Sequence, residues 1–157
     1  LVLISGGISV GDYDFVKEAL AELGVEQMFY KVKQKPGKPL FFGKKDDSIV
    51  FALPGNPASA LSCFYVYVLK AIALLSGDLN FSLNKVNASC RNHFIKKGDR
   101  PQFLKAVYLD GGVTILDGQN SSMLHTFALS NALAFVPSDK NEVNINDNIE
   151  VILLPVN

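Results

Sequence analysis

Three short stretches combine residue types that can hold an anion: Ser5-Gly6-Gly7-Ile8-Ser9-Val10-Gly11-Asp12, Lys35-Pro36-Gly37-Lys38-Pro39 and Leu53-Pro54-Gly55-Asn56-Pro57-Ala58-Ser59. In the first, small residues let a ligand approach the main chain, and hydroxyls stand beside the start of a helix whose free N–H groups favour phosphate or another anion. A tight turn feeding a helix explains the glycines equally well, but it leaves Ser5 and Ser9 unused. The third stretch leaves a strand, turns sharply and starts a helix with Asn56 at the cap and Pro57 at the first position, where a missing N–H costs nothing.

Lys31, Lys33, Lys35, Lys38, Lys44 and Lys45 follow one another with no acidic residue between them. Lys33, Lys44 and Lys45 read as a solvated face. Lys35 and Lys38 bracket Pro36-Gly37 and precede Pro39, so a stiff loop is expected to hold two ammonium groups close together, preorganised for an oxyanion. Asp12 and Asp14 follow the glycine loop. Carboxylates there cap a helix, bind a cation that bridges ligand oxygens, or act in acid–base chemistry. Two spaced acids cannot both be the cap, which leaves at least one for a magnesium-type role. His93 and His125 show no triad or metal spacing and receive no role.

The elements that position these loops are legible from periodicity. Leu1 to Ile4 has the pattern of a fully buried parallel strand ending at a glycine turn. Phe15, Val16, Ala19, Leu20 and Leu23 recur at helical spacing, with Asp12 or Asp14 as cap and Gly24 as the stop. Strands are expected over 27–33, 40–43 and 49–53, the last two joined by a turn at 45–48, and a helix from Pro57 to about Ser76. In an open α/β sheet, the first and third loops would then line one edge, the carboxyl ends of the strands, where ligands bind. After Gly77 the pattern becomes short β stretches, including a hairpin about Asp110-Gly111-Gly112 and strands over 132–136 and 149–154. Two domains follow, 1–77 of α/β type and 78–157 as a small all-β barrel or sandwich.

Composition removes several function classes. Basic and acidic residues balance at 15 each, so no global field exists for a nucleic-acid backbone or an anionic membrane. The 48% hydrophobic content is enough for a core. Cys63 and Cys90 have no CxxC or Cys/His spacing, which favours a reduced, cytoplasmic setting over a disulfide framework or zinc site. The apolar stretch from Ala58 to Leu75 is interrupted by Ser59, Ser62 and Lys70, and reads as a buried core helix. The opening Leu1-Val2-Leu3-Ile4 has neither initiating Met nor basic flank, and the chain is expected to be a fragment beginning at a strand.

The three stretches, in this order and spacing, resemble the signatures of the MoeA/gephyrin-E family of molybdopterin molybdenumtransferases. The resemblance extends through Gly98-Asp99-Arg100-Pro101-Gln102-Phe103, Ser121-Ser122-Met123 and Ser130-Asn131-Ala132-Leu133. It implies the later part of a three-layer molybdopterin-binding α/β domain followed by a small β domain. It also implies insertion of molybdate into adenylated molybdopterin with Mg2+ and release of AMP, in a homodimer served by a MogA-type adenylyltransferase. Carried over by position, Asp14 resembles the essential acid near the metal and phosphoanhydride. Lys35, Lys38, Pro39, Ser59 and Arg100 resemble groups around molybdate. Ser5, Gly6, Gly7, Ser9, Gly11, Asp12 and Pro54, Gly55, Asn56 and Pro57 would cradle the pterin and its phosphate, with Ser121 or Ser122 reaching the same cleft.

Two departures stand out. The family's acidic loop and a further carboxylate are expected upstream of Leu1, so the isolated chain is expected to transfer little or no molybdenum, and Lys105 replaces an expected arginine. Other classes remain open: a scaffolding or oligomerisation module of gephyrin type, or a MogA-type adenylyltransferase, which the appended β domain disfavours.

Overall fold

The structure, a computed structural model, describes residues 1–9 and 15–155. The chain divides into two compact units, Leu1–Lys33 with Gly37–Phe81, and Gln34–Pro36 with Ser82–Asn157.

The first unit is a mixed sheet between two helical layers. Its elements are β1 (Val2–Ser5), α1 (Val16–Glu22), β2 (Glu26–Tyr30), β3 (Phe41–Lys45), β4 (Ser48–Leu53), α2 (Pro57–Cys63), a π-helical turn (Phe64–Val68) and α3 (Leu69–Leu75). The sheet order is β1-β4-β3-β2, with β1 parallel to β4 and the other pairs antiparallel. Because strand side chains alternate between faces, Val50 and Ala52 join Phe41, Ile8 and Leu20 on one face. Phe51 and Leu53 join Leu40, Cys63 and Val68 on the other. The first face packs on α1 and the second on the Pro57–Leu75 helical stretch.

Several expectations change here. β1 pairs in parallel as expected, but it is not fully buried: Val2 and Leu3 are 46% and 44% exposed. Among the described residues it has β4 on one side only, and an edge strand lacks the neighbours that would cover it. β2 stops at Tyr30 instead of continuing to Lys33, because Lys31 sits at φ +69°, outside the strand region. The long helix is buried on one face only. Ala58, Ser59, Ser62, Cys63 and Val68 pack inward, whereas Ile72, Leu74 and Leu75 are exposed. Among the described residues, Pro57–Leu75 is the one helix long and apolar enough, by length and composition, to cross a membrane.

The second unit is built on a closed barrel in the order β11-β5-β8-β7-β9, formed by β5 (Lys85–Cys90), β7 (Gln102–Leu109), β8 (Gly112–Ile115), β9 (Ala132–Val136) and β11 (Asn148–Leu153). β6 (Phe94–Ile95) and β10 (Glu142–Val143) form a separate pair, and α4 spans Leu124–Ala128. Closure leaves no free strand edge in the barrel. The β7–β8 hairpin turns at Asp110 and Gly111, both at positive φ, as a two-residue turn that follows the strand twist requires. Ala88, Leu104, Ala106, Val113, Ile115, Ala134 and Val151 fill the interior. β5, β6, β10 and α4 have no individual counterpart in the sequence reading.

Candidate functional site

β1 and β4 run side by side with Ser5 opposite Leu53, so the loops that leave them emerge at the same sheet edge. The Gly6 N–H donates to the Leu53 carbonyl at 3.0 Å and continues the pairing one step past the strands. Beyond it lies a cleft of about 280 Å³ lined by Gly7, Ile8, Ser9, Pro39, Pro54, Gly55 and Asn56. Residues from all three anion-type stretches therefore meet at one edge of the first unit. Asn56 caps α2 by position, with extended backbone and no side-chain capping bond, and Pro57 takes the first helical position. Ser59, 3% exposed, lies in the first turn of that helix.

A residue that sequence reasoning missed holds the glycine loop in place. The Tyr30 hydroxyl donates to the carbonyl oxygens of Ile8 at 2.5 Å and Ser9 at 2.9 Å. Lys17 and Lys31 place ammonium groups 5.1 and 4.8 Å from the centre of its ring, within cation–π range. Only the sheet pairing brings Tyr30, at the end of β2, to this loop, and no local pattern announces it.

The Lys35 to Pro39 segment is shared between the units, which a single stiff loop did not anticipate. Pro39 lines the first unit's cleft, and Lys38 is exposed, its carbonyl accepting from Val32 N–H at 2.9 Å. Lys35 belongs to the second unit. Its N–H donates to Pro101 O and its carbonyl accepts from Phe103 N–H, each at 2.9 Å. The Arg100 side chain donates through Nη1 to Gln34 O at 3.0 Å, so it bonds the residue next to Lys35 within the second unit. A second cleft, about 250 Å³ and wholly within that unit, is lined by Lys35, Lys97, Gln102, Asp117, Gly118 and Gln119 together with Phe94, Ile95 and Leu116.

Ser122 is exposed, with its N–H and hydroxyl donating to Asn120 Oδ1, and Ser121 is half-buried beside it. Gly11, Asp12 and Asp14 lie outside the described residues. Among the described residues no three His, Cys, Asp or Glu side chains gather as a metal-ligand set. Cys63 and Cys90 are buried free thiols, and burial pushes the Cys63 thiol up to about 12.

The first unit is a three-layer α/β unit with a small-residue cleft at its strand ends, followed in the chain by a closed barrel. Residues 1–74 match the family model described as a probable molybdopterin binding domain, and residues 87–154 match the MoeA C-terminal region (domain IV). The chain belongs to the MoeA-type molybdopterin molybdenumtransferase family of molybdenum cofactor biosynthesis. It is 32% identical over 157 residues to molybdopterin molybdenumtransferase of Haemophilus influenzae, covering 96% of this chain and 39% of the relative. To the molybdenum cofactor synthesis protein cinnamon of Drosophila melanogaster it is 34% identical over 143 residues, 87% of this chain and 24% of the relative. A molybdopterin biosynthesis moeA protein from Pyrococcus horikosii superposes with TM-score 0.77 at 25% identity, over 98% of this chain and 37% of that one. The chain thus spans less than half the length of the curated relatives it matches.

Proposed function

We propose that the full protein from which this chain comes inserts molybdate into adenylated molybdopterin and releases AMP. The observation that carries the reading is the cleft at the β1 and β4 ends, where Gly7, Ser9, Pro39, Pro54, Gly55 and Asn56 converge. Backbone without bulky side chains there suits the close approach of a pterin and its phosphate, with Ser5, Gly6, Gly11, Asp12 and Pro57 extending the cradle. Lys35, Lys38, Ser59 and Arg100 are the groups for the molybdate oxyanion, supplying fixed positive charge and a hydroxyl. Ser121 and Ser122 contribute from the barrel.

In this reading water adds at phosphorus of the phosphoanhydride, the bond to the bridging oxygen breaks, and AMP leaves. Asp14 takes the proton from the attacking water. Molybdenum then takes the two dithiolene sulfurs, and their protons leave with one molybdate oxygen as water. Mg2+ would rest on Asp14, which lies outside the described residues; when bound it would screen the phosphoanhydride charge, and the roles given to the described residues do not pass through it. A homodimer, a MogA-type adenylyltransferase upstream and a cytoplasmic setting complete the proposal, and the isolated chain should be nearly inactive.

The test is a molybdate-insertion assay on the full-length protein with adenylated molybdopterin, following AMP and the finished cofactor together. Release coupled to insertion supports the proposal. A well-folded full-length protein that does neither would sink it and favour a scaffolding role.

A further inference from the structure

Two lysines of the second unit are almost completely buried, Lys96 at 5% and Lys105 at 4% exposure. A buried ammonium is costly unless each of its three N–H donors is used. Both lysines meet that condition with main-chain oxygens alone. Lys96 Nζ lies 2.9 Å from Gly98 O, 3.2 Å from Ser138 O and 3.4 Å from Arg100 O. Lys105 Nζ lies 2.8 Å from Gly118 O, 3.1 Å from Met123 O and 3.2 Å from Asn120 O. Neither forms an ion pair among the described residues.

Five of the six carbonyls belong to two particular loops, and the sixth, Ser138 O, lies in the segment after β9. Lys96 ties down 98–100, which carries Arg100, and Lys105 ties down 118–123, which carries Ser121 and Ser122. Gly118 and Gln119 of the second loop line the cleft that also contains Lys35, and Lys97 and Gln102, which flank the first loop, line it too. Side-chain amides reinforce the arrangement. Gln102 Nε2 donates to Lys97 O at 2.8 Å, and Gln119 exchanges bonds with Lys105 N–H and carbonyl at 3.0 and 2.9 Å. At position 105 a neutral side chain of the same length would fill the space but take this donor from the Gly118 and Met123 carbonyls, while Asn120 O keeps the Met123 N–H at 3.1 Å, and the loop would loosen.

We propose that Lys96 and Lys105 are positioning residues that shape the Lys35 cleft of the barrel before an oxyanion enters it, Lys105 by clamping a loop that lines it and Lys96 by clamping the loop between two of its lining residues, Lys97 and Gln102. The proposal rests on the reading that Lys35 meets the molybdate oxyanion. It explains why ammonium groups are kept where no carboxylate pairs with them: three converging carbonyl dipoles need a cation with three donors.

The experiment uses the full-length protein, with molybdate as probe. In Lys105→Met, amide hydrogen exchange across 118–123 should rise by about tenfold or more while the barrel strands stay protected. The molybdate KM should rise by about tenfold with kcat within about threefold, since the clamp acts on binding geometry. Lys105→Arg, which restores a cation with several donors, should recover both. Unchanged loop exchange in Lys105→Met overturns the clamp, and a loosened loop with unaltered molybdate KM overturns its role in shaping the site. If Lys105→Met does not fold, the wild type decides: molybdate should slow exchange at 118–123 and 98–100, and protection confined to other segments overturns the proposal. Failure of wild-type protein to insert molybdate would instead sink the functional reading, while the exchange data still report on the clamp.

Discussion

Gly7 lies directly against Val16: a β-carbon at Gly7 would stand 2.6 Å from Val16 Cγ2, while the Val16 N–H donates to the Gly7 carbonyl at 3.1 Å. Gly7 also sits at φ +69°, a conformation that side chains with a β-carbon rarely adopt. The glycine is thus required twice, once by its own backbone and once by the stiff, β-branched neighbour. Gly7→Ala should cost about 1–3 kcal/mol of stability in urea unfolding. Combined with Val16→Ala, part of the loss should return, and strict additivity of the two would contradict the contact.

Tyr30→Phe removes one hydroxyl and leaves the ring. The Ile8 and Ser9 carbonyls lose their shared donor, which should lower stability by about 1 kcal/mol and speed exchange of the glycine loop. In the full-length enzyme the pterin substrate should bind more weakly, with the molybdate KM unaltered. An equal change in both would place Tyr30 outside the pterin cradle.

Lys38→Ala and Lys35→Ala each remove a cation assigned to the oxyanion. Either should raise the molybdate concentration needed for insertion by about tenfold or more while leaving pterin affinity near the wild-type value. Titrations of molybdate and of pterin, run separately, check this. An unchanged molybdate dependence removes that lysine from the site.

The Asp147 carboxylate takes a hydrogen bond from Lys140 at 2.7 Å and one from the Asn144 N–H at 3.0 Å, and these hold its pKa below the ordinary value. A carboxylate depressed in the folded state contributes stability above its unfolded pKa, about 3.9, and loses it as pH falls through the lower folded value. Asp147→Asn should therefore lower Tm at neutral pH. The gap from wild type should close as pH drops below about 4, and a gap independent of pH would refute the linkage.

Cys63 is fully buried, with its thiol pushed up to about 12 by desolvation. The thiolate is the reactive form. Iodoacetamide at pH 8 should leave Cys63 unmodified in the folded protein and label it only after denaturation, as read by mass spectrometry. Rapid labelling of native protein at this position would contradict the packing against Leu40, Leu53 and Val68.

Some features depend on a residue and its immediate neighbours, and these were legible in the sequence. Pro57 starts its helix, Gly24 at φ +77° closes α1, and Asp110-Gly111 turns the hairpin, because each follows from local φ and ψ preferences. The small residues of the first and third loops were legible as a ligand edge for a related reason: parallel strands that end in glycine and proline turns leave main chain accessible at one rim. The barrel was one of two all-β alternatives, since alternation sets strand faces but not closure.

Tertiary structure decided what depends on partners distant in the sequence. Periodicity could not reveal that, among the described residues, β1 pairs with β4 alone, nor that the Lys35 main chain bonds Pro101 and Phe103. Tyr30 reads as a strand residue until its hydroxyl meets the Ile8 and Ser9 carbonyls. Lys105 reads as a replaced arginine until three carbonyls of the 118–123 loop converge on its ammonium. Local chemistry sets where the chain turns and which side chains can bind an anion, whereas burial and the pairing of buried polar groups arise only when distant segments pack together.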